Sequence, residues 1–205
     1  MHSLRFAASG LALSLFVTVG CADRVPTDAD AAAAASVPEA SLATTMSQTS
    51  GVVVFPDGPT IPGASARRTI AGNGFNLWFN TSGLEPGNAY TLWAAVFNHP
   101  SACIVPNACT LADAMAPDPA VALEVIGVTG HVVGGSGRAT FSGRIEVGDI
   151  GIRGVGVLNT SEAEVHLVLR SHGPKLPGNA QLTEFNGGCP PNACMNVQDA
   201  ANFQD

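Results

Sequence analysis

The side chains best able to do chemistry lie in one stretch, Glu164-Val-His166-Leu-Val-Leu-Arg170-Ser-His172. In an extended chain, even spacing places Glu164, His166, Arg170 and His172 on one face, which makes them a candidate binding face. Two imidazoles six residues apart on a strand stand roughly 20 Å apart at about 3.3 Å per residue. They share no metal unless the chain bends at Ser171-His172-Gly173-Pro174. His166 could instead meet His99 or His131 from neighbouring strands, as copper and zinc sites on β-sandwiches do, so His99, His131 and His166 form the candidate metal or redox site. In the plain structural alternative, His166 and Arg170 are polar-face residues hydrogen-bonded to Glu164 or to a loop.

Other chemistry finds little support. Gly134-Gly135-Ser136-Gly137-Arg138 lacks the closing glycine of a hydrolase elbow, and its serine falls in a hairpin turn. Neither a phosphate loop nor a metalloprotease helix is present. Glu162 and Glu164 share a strand face, as paired acids do, but carboxylates on an exposed strand are usually solvated. The formal charge is −7 with Lys175 the one lysine, so no basic stripe exists to hold nucleic acid. The expectation is a non-catalytic binding or structural module with no predicted cofactor. Its ligand would be an envelope protein, a carbohydrate or a small molecule, and the alternative is a copper, zinc or redox protein.

There are five cysteines. Four form two close pairs, Cys103-Ile-Val-Pro-Asn-Ala-Cys109 and Cys189-Pro-Pro-Asn-Ala-Cys194, which share the ending Pro-Asn-Ala-Cys. Four cysteines allow three connectivities, and the pairing favoured is Cys103 with Cys109 and Cys189 with Cys194, since close partners meet first as an exported chain oxidises. Zinc is the other reading, although these spacings fit two-residue knuckles poorly. The fifth, Cys21, follows an apolar run from Phe6 to Val19 that has signal-peptide length. Thr18-Val19-Gly20-Cys21 resembles the lipobox of bacterial lipoproteins, in which the cysteine becomes the lipidated first residue. Cleavage after Ala22 is the competing reading. With lipidation, Ala22 after the cysteine favours the outer membrane, facing periplasm or surface.

These residues need a frame. Residues 1–20 read as a signal peptide, 21–50 as a lipid-anchored flexible linker rich in Ala, Ser, Thr and Asp, and 51–205 as one domain. Asp28-Ala29-Asp30 lacks the Gly and Glu of a calcium loop. Asn80-Thr81-Ser82 and Asn159-Thr160-Ser161 fit the glycosylation pattern, which a bacterial lipoprotein leaves bare. With 46% hydrophobic and 12% charged residues, a single packed core is expected. Leu92 to Phe97 is apolar on both faces and reads as a strand covered on both sides. Tyr90 follows a Pro-Gly turn, as in a tyrosine corner, where its hydroxyl would bond to backbone near Leu84. Further strands are predicted at Gly51–Phe55, Arg68–Ala71, Phe75–Thr81, Ala120–Val133, Arg138–Val147 and Ala163–Ser171. About seven strands without a core helix predict an all-β antiparallel β-sandwich with disulfide-closed loops, a closed barrel being the other solution.

Tyr90-Thr-Leu-Trp93, Phe97-Asn98, Pro100, Glu164-Val-His166-Leu-Val-Leu-Arg-Ser-His172-Gly-Pro174 and Phe185-Asn-Gly-Gly-Cys189 resemble an uncharacterised family of exported bacterial proteins. The resemblance covers most of the chain after Gly74 and implies export but no activity. A fainter similarity to chordin-type sandwich domains rests on the histidine-bearing strand and implies only a fold.

Overall fold

The computed structural model describes residues 46–185, 189, 194–201 and 203. The signal segment, Cys21 and most of the linker lie outside the described residues. The strands are β1 (Met46–Val54), β2 (Thr60–Ala71), β3 (Gly74–Thr81), β4 (Asn88–Phe97), β5 (Leu123–Val132), β6 (Ala139–Glu146), β7 (Glu164–Pro174) and β8 (Met195–Ala200). One five-residue helix, α1 (Leu111–Met115), follows β4.

Each predicted strand is present, with three corrections. Strand β1 starts at Met46, inside the stretch read as linker, because its backbone pairs with β2 from Met46↔Ile70 onward. An eighth strand, β8, fills the place between β7 and β1. The Ala120 end of the β5 prediction is instead a 3-10 turn over Pro119–Val121.

All eight strands form a single antiparallel sheet in the order β5-β4-β7-β8-β1-β2-β3-β6. The sheet curls until its edges β5 and β6 approach, so it is barrel-like rather than a two-layer sandwich. Gly143 of β6 sits so close to Val128 of β5 that a Cβ there would lie 2.6 Å from its side chain. The loop after β6 fills the remaining gap, with the Ile152 N–H donating to the Val125 carbonyl at 2.9 Å. The β5 edge is thereby partly covered, and the close approach of β6 leaves little room for another strand to add there.

Alternation decides which side chains fill the barrel. Phe75, Leu77 and Phe79 from β3, Leu92, Ala94 and Val96 from β4, Phe141 and Ile145 from β6, and Val165, Leu167 and Leu169 from β7 meet inside, fully or nearly fully buried. Each Phe or Leu buried this way contributes roughly 1.5–3 kcal/mol. Val147, which the alternation also pointed inward, lies past the end of β6 and is exposed. The tyrosine corner is present: the Glu85 N–H donates to the Tyr90 hydroxyl at 3.0 Å, tying the turn before β4 to the strand.

Candidate functional site

The other face of β4 and β7 points out of the barrel. Their register sets Thr91 beside Arg170, Trp93 beside Val168, Ala95 beside His166 and Phe97 beside Glu164. Glu164, His166, Arg170 and His172 therefore do share a face, as their spacing predicts. That face is covered rather than open.

At the Glu164 end, the Cys103–Cys109 disulfide closes a loop that lies over Phe97 and Ala95. Both Glu164 oxygens accept from the Cys109 N–H, at 3.1 and 3.2 Å. Glu164 Oε1 also lies 2.6 Å from His166 Nε2, and the His166 ring packs on Phe97 with centroids 4.9 Å apart. The loop is braced again by buried Asp113 of α1, which accepts from the Ile104 and Thr110 N–H groups at 2.7 and 2.8 Å. The Ile104 bond most of all holds the Asp113 carboxyl below its ordinary pKa, against the opposing effect of burial.

At the other end, the Arg170 guanidinium lies 5.0 Å from the Trp93 ring centroid, and its Nε donates to Asn196 Oδ1 at 3.1 Å. Trp93 Nε1 donates to Thr91 Oγ1, which lies 2.8 Å from His172 Nε2. His172 is buried, and burial first, then the Arg170 charge, push its pKa down, with Glu184 acting weakly against them. A neutral imidazole sealed in this way is structural. The cover is the segment 180–185: Phe185 meets Trp93 edge-on at 5.7 Å. Gly127 and Gly130 make room for it, since a Cβ at Gly130 would lie 2.1 Å from the Leu182 carbonyl.

Beside the disulfide loop a cleft of about 450 Å³ opens onto His166. Ala95, Phe97, His166, Val168 and Asp199 line it from the sheet, Leu111 and neighbouring alanines from the disulfide loop and α1, and Phe55 to Asp57 from the turn after β1. Its walls are mainly apolar, and the polar side chains among them are Asp57, Asp199, His166 and Thr110. Asp199 Oδ1 is buried with no hydrogen-bond partner. Burial, with the Asp57 charge adding to it and His166 partly offsetting, pushes the Asp199 carboxyl up to about 6. Sequence reasoning missed both acids, since Asp57 reads as part of a Pro-Asp-Gly turn and Asp199 lies on the unpredicted β8.

The proposed metal trio is not assembled. His131 pairs with Tyr90 at the start of β4, whereas His99 follows its last residue, which separates them by roughly 25 Å of strand. His166 is engaged with Glu164. Among the described residues, no group of three His, Cys, Asp or Glu side chains could hold a metal ion. Cys189 and Cys194 pair with each other, so all four cysteines after Cys21 are in disulfides. No family model, curated protein or solved structure matches the chain.

Proposed function

We propose that this protein is an exported cell-envelope binding module, lipid-anchored through Cys21 and non-catalytic, whose ligand enters the cleft above His166 and Asp199. The observation that carries the reading is a mainly apolar cleft lined by Asp199, whose Oδ1 is buried beside it without a hydrogen-bond partner. A buried polar atom without a partner costs about 1–3 kcal/mol, and a ligand that donates a hydrogen bond would recover it. Apolar walls with a few convergent polar groups are the usual make-up of a small-molecule site. The ligand class that fits has a compact apolar body and an amine or other donor group. Two disulfides support an oxidising compartment, and by resemblance to bacterial lipoproteins Ala22 after Cys21 favours the outer membrane.

Catalysis is not favoured by the groups at hand. The hydroxyl–imidazole pair Thr91–His172 is buried away from the cleft, and His166 Nε2 is occupied by Glu164.

The test is methyl NMR on the protein with labelled alanines, since Ala95, Ala108, Ala112 and Ala114 all line the cleft. Benzylamine should shift these methyls, and benzoate should shift them far less. An equal response to both, or shifts scattered over the barrel, would refute the site.

A further inference from the structure

We infer that the end of the barrel carrying the disulfide loop and the loop after β6 docks on the surface of a lipid bilayer. Exposed aliphatic side chains are not spread over this molecule. Among the described residues, the exposed large apolar side chains other than Val54, Met195 and the cleft-lining Leu111 are Met46 at the start of β1, Ile104, Val105 and Met115 of the disulfide loop and α1, and Val147, Ile150, Ile152, Val155 and Leu158 of the loop after β6. Ile104, Met115 and Ile150 protrude furthest, at 73%, 75% and 71% exposure, with Val105, Val155 and Leu158 around them.

The two loops form one surface. Arg153 of the second donates to the Ala114 carbonyl of the first at 3.4 Å, and Asn98 at the end of β4 ties both its own loop and Gly156 and Leu158 together. Neither loop is free to fold its aliphatic residues inward. Asp113 and the Cys103–Cys109 disulfide fix the first, and buried Glu124 fixes the second by accepting from the Arg153 and Gly156 N–H groups at 2.9 and 2.7 Å. Apolar side chains held out on rigid loops need an apolar phase to enter.

The path of the chain identifies that phase. The register runs Met46↔Ile70, Ile70↔Phe75 and Phe75↔Ile145, which puts the first residue of β1 at the same end as the close of β6. The same end holds the close of β4 and the start of β7, since β1 meets β7 through antiparallel β8 by Val53↔Asp199 and Asp199↔Val168, and Phe97 pairs with Glu164. Residues 1–45, with the lipobox-like Cys21, thus join the barrel beside the apolar loops. An acyl anchor some 25 residues away allows a reach of up to roughly 80 Å and sets no orientation by itself. It does raise the local concentration of membrane, so weakly inserting loops suffice to choose the docked face. A protein partner fits less well, because aromatic and Arg anchors dominate such interfaces and the protruding groups here are aliphatic.

The inference rests on the envelope reading for its biological setting, but its test does not. Residues 42–205 form a compact unit that contains the whole barrel and its core, and can be exported without any acyl chain. Flotation with phosphatidylcholine vesicles, and with phosphatidylethanolamine–phosphatidylglycerol vesicles, should recover this unit. The triple variant Ile104→Asp, Met115→Asp, Ile150→Asp should partition at least tenfold less. Met195→Asp, at the opposite end and 67% exposed, should leave partitioning unchanged. All three sites are exposed, and intact disulfides with an unchanged near-ultraviolet spectrum would verify folding. Failure of the parent unit to float, or equal flotation of the triple variant, would overturn the inference. So would a dimer that the triple variant dissociates without any flotation, since the occupant would then be a second copy. The mass of mature full-length chain at Cys21 reports separately on the anchor.

Discussion

Glu164 Oε1 stands 2.6 Å from His166 Nε2 while the same carboxylate accepts the Cys109 N–H, so one side chain ties the cleft floor to the disulfide loop above it. The side chains are only 18% and 12% exposed for Glu164 and His166, which keeps solvent from taking over either bond. Glu164→Ala leaves the Cys109 N–H without its acceptor. A stability loss of about 1–2 kcal/mol in urea denaturation is expected. Benzylamine affinity for the cleft should weaken with it, and Glu164→Gln, which keeps an acceptor, should recover part of both.

Asp199 makes a prediction of opposite sign. Its folded pKa of about 6 lies above the roughly 3.9 of an unfolded Asp, so the folded state binds the proton more tightly. Stability is therefore gained as pH falls through the window from about 6 to about 4, and lost as pH rises through 6. Asp199→Asn should stabilise the protein by about 1 kcal/mol at pH 7.5, after allowance for solvent screening. The gain should vanish near pH 4 when denaturation midpoints are compared across pH.

His172 works against Asp199 over part of the same range. Its folded pKa is lowered, chiefly by burial and then by Arg170, so below pH of about 6.5 the unfolded chain takes up a proton that the folded one refuses. The stability it contributes is complete above that pH and declines on acidification. His172→Gln should flatten this acid limb, and combining it with Asp199→Asn should leave a profile nearly level between pH 5 and about 7. A double variant as pH-sensitive as the parent would show that other groups govern the range.

Glu124 is fully buried, and its carboxylate accepts from the Val125, Arg153 and Gly156 N–H groups at 2.8, 2.9 and 2.7 Å. Burial alone would raise its pKa, but the backbone bonds together outweigh burial and hold it below the ordinary value. Glu124→Ala strands these donors, and a loss of roughly 3 kcal/mol or more is expected. Amide exchange at Gly156 should accelerate well before that of the Leu167 and Leu169 amides in β7.

Strand β7 was legible because Val165, Leu167 and Leu169 alternate with polar residues, and β4 because its apolar run needed cover on both faces. Tyr90 was legible from the turn before it. Strand β8, Met-Asn-Val-Gln-Asp-Ala, shows no such pattern, because its inward residue Gln198 is accommodated by polar contacts with Thr81 and the Ser82 carbonyl. The first half of β1 was hidden for a related reason: its side chains are mostly exposed and only the backbone pairs. The cleft inherits both omissions, since Asp199 and Asp57 reach it through β8 and the end of β1. The sealing of His172 depends on the segment 180–185 landing on Gly127 and Gly130, and local spacing carries no trace of so distant a contact.

Strands β1 and β8 share only two register positions, Val53↔Asp199 and Val54↔Gln198, where every other neighbouring pair in the sheet shares five or more. The first and last strands among the described residues are thus joined by the shortest pairing in the sheet, with the Phe55 N–H donating to the Val197 carbonyl just beyond it at 3.0 Å. Asp199 sits in that pairing, and burial pushes its carboxyl up to about 6. Ionising Asp199 is therefore expected to loosen this pairing and a donor seated in the cleft to tighten it, so that cleft occupancy should slow amide exchange at Val53.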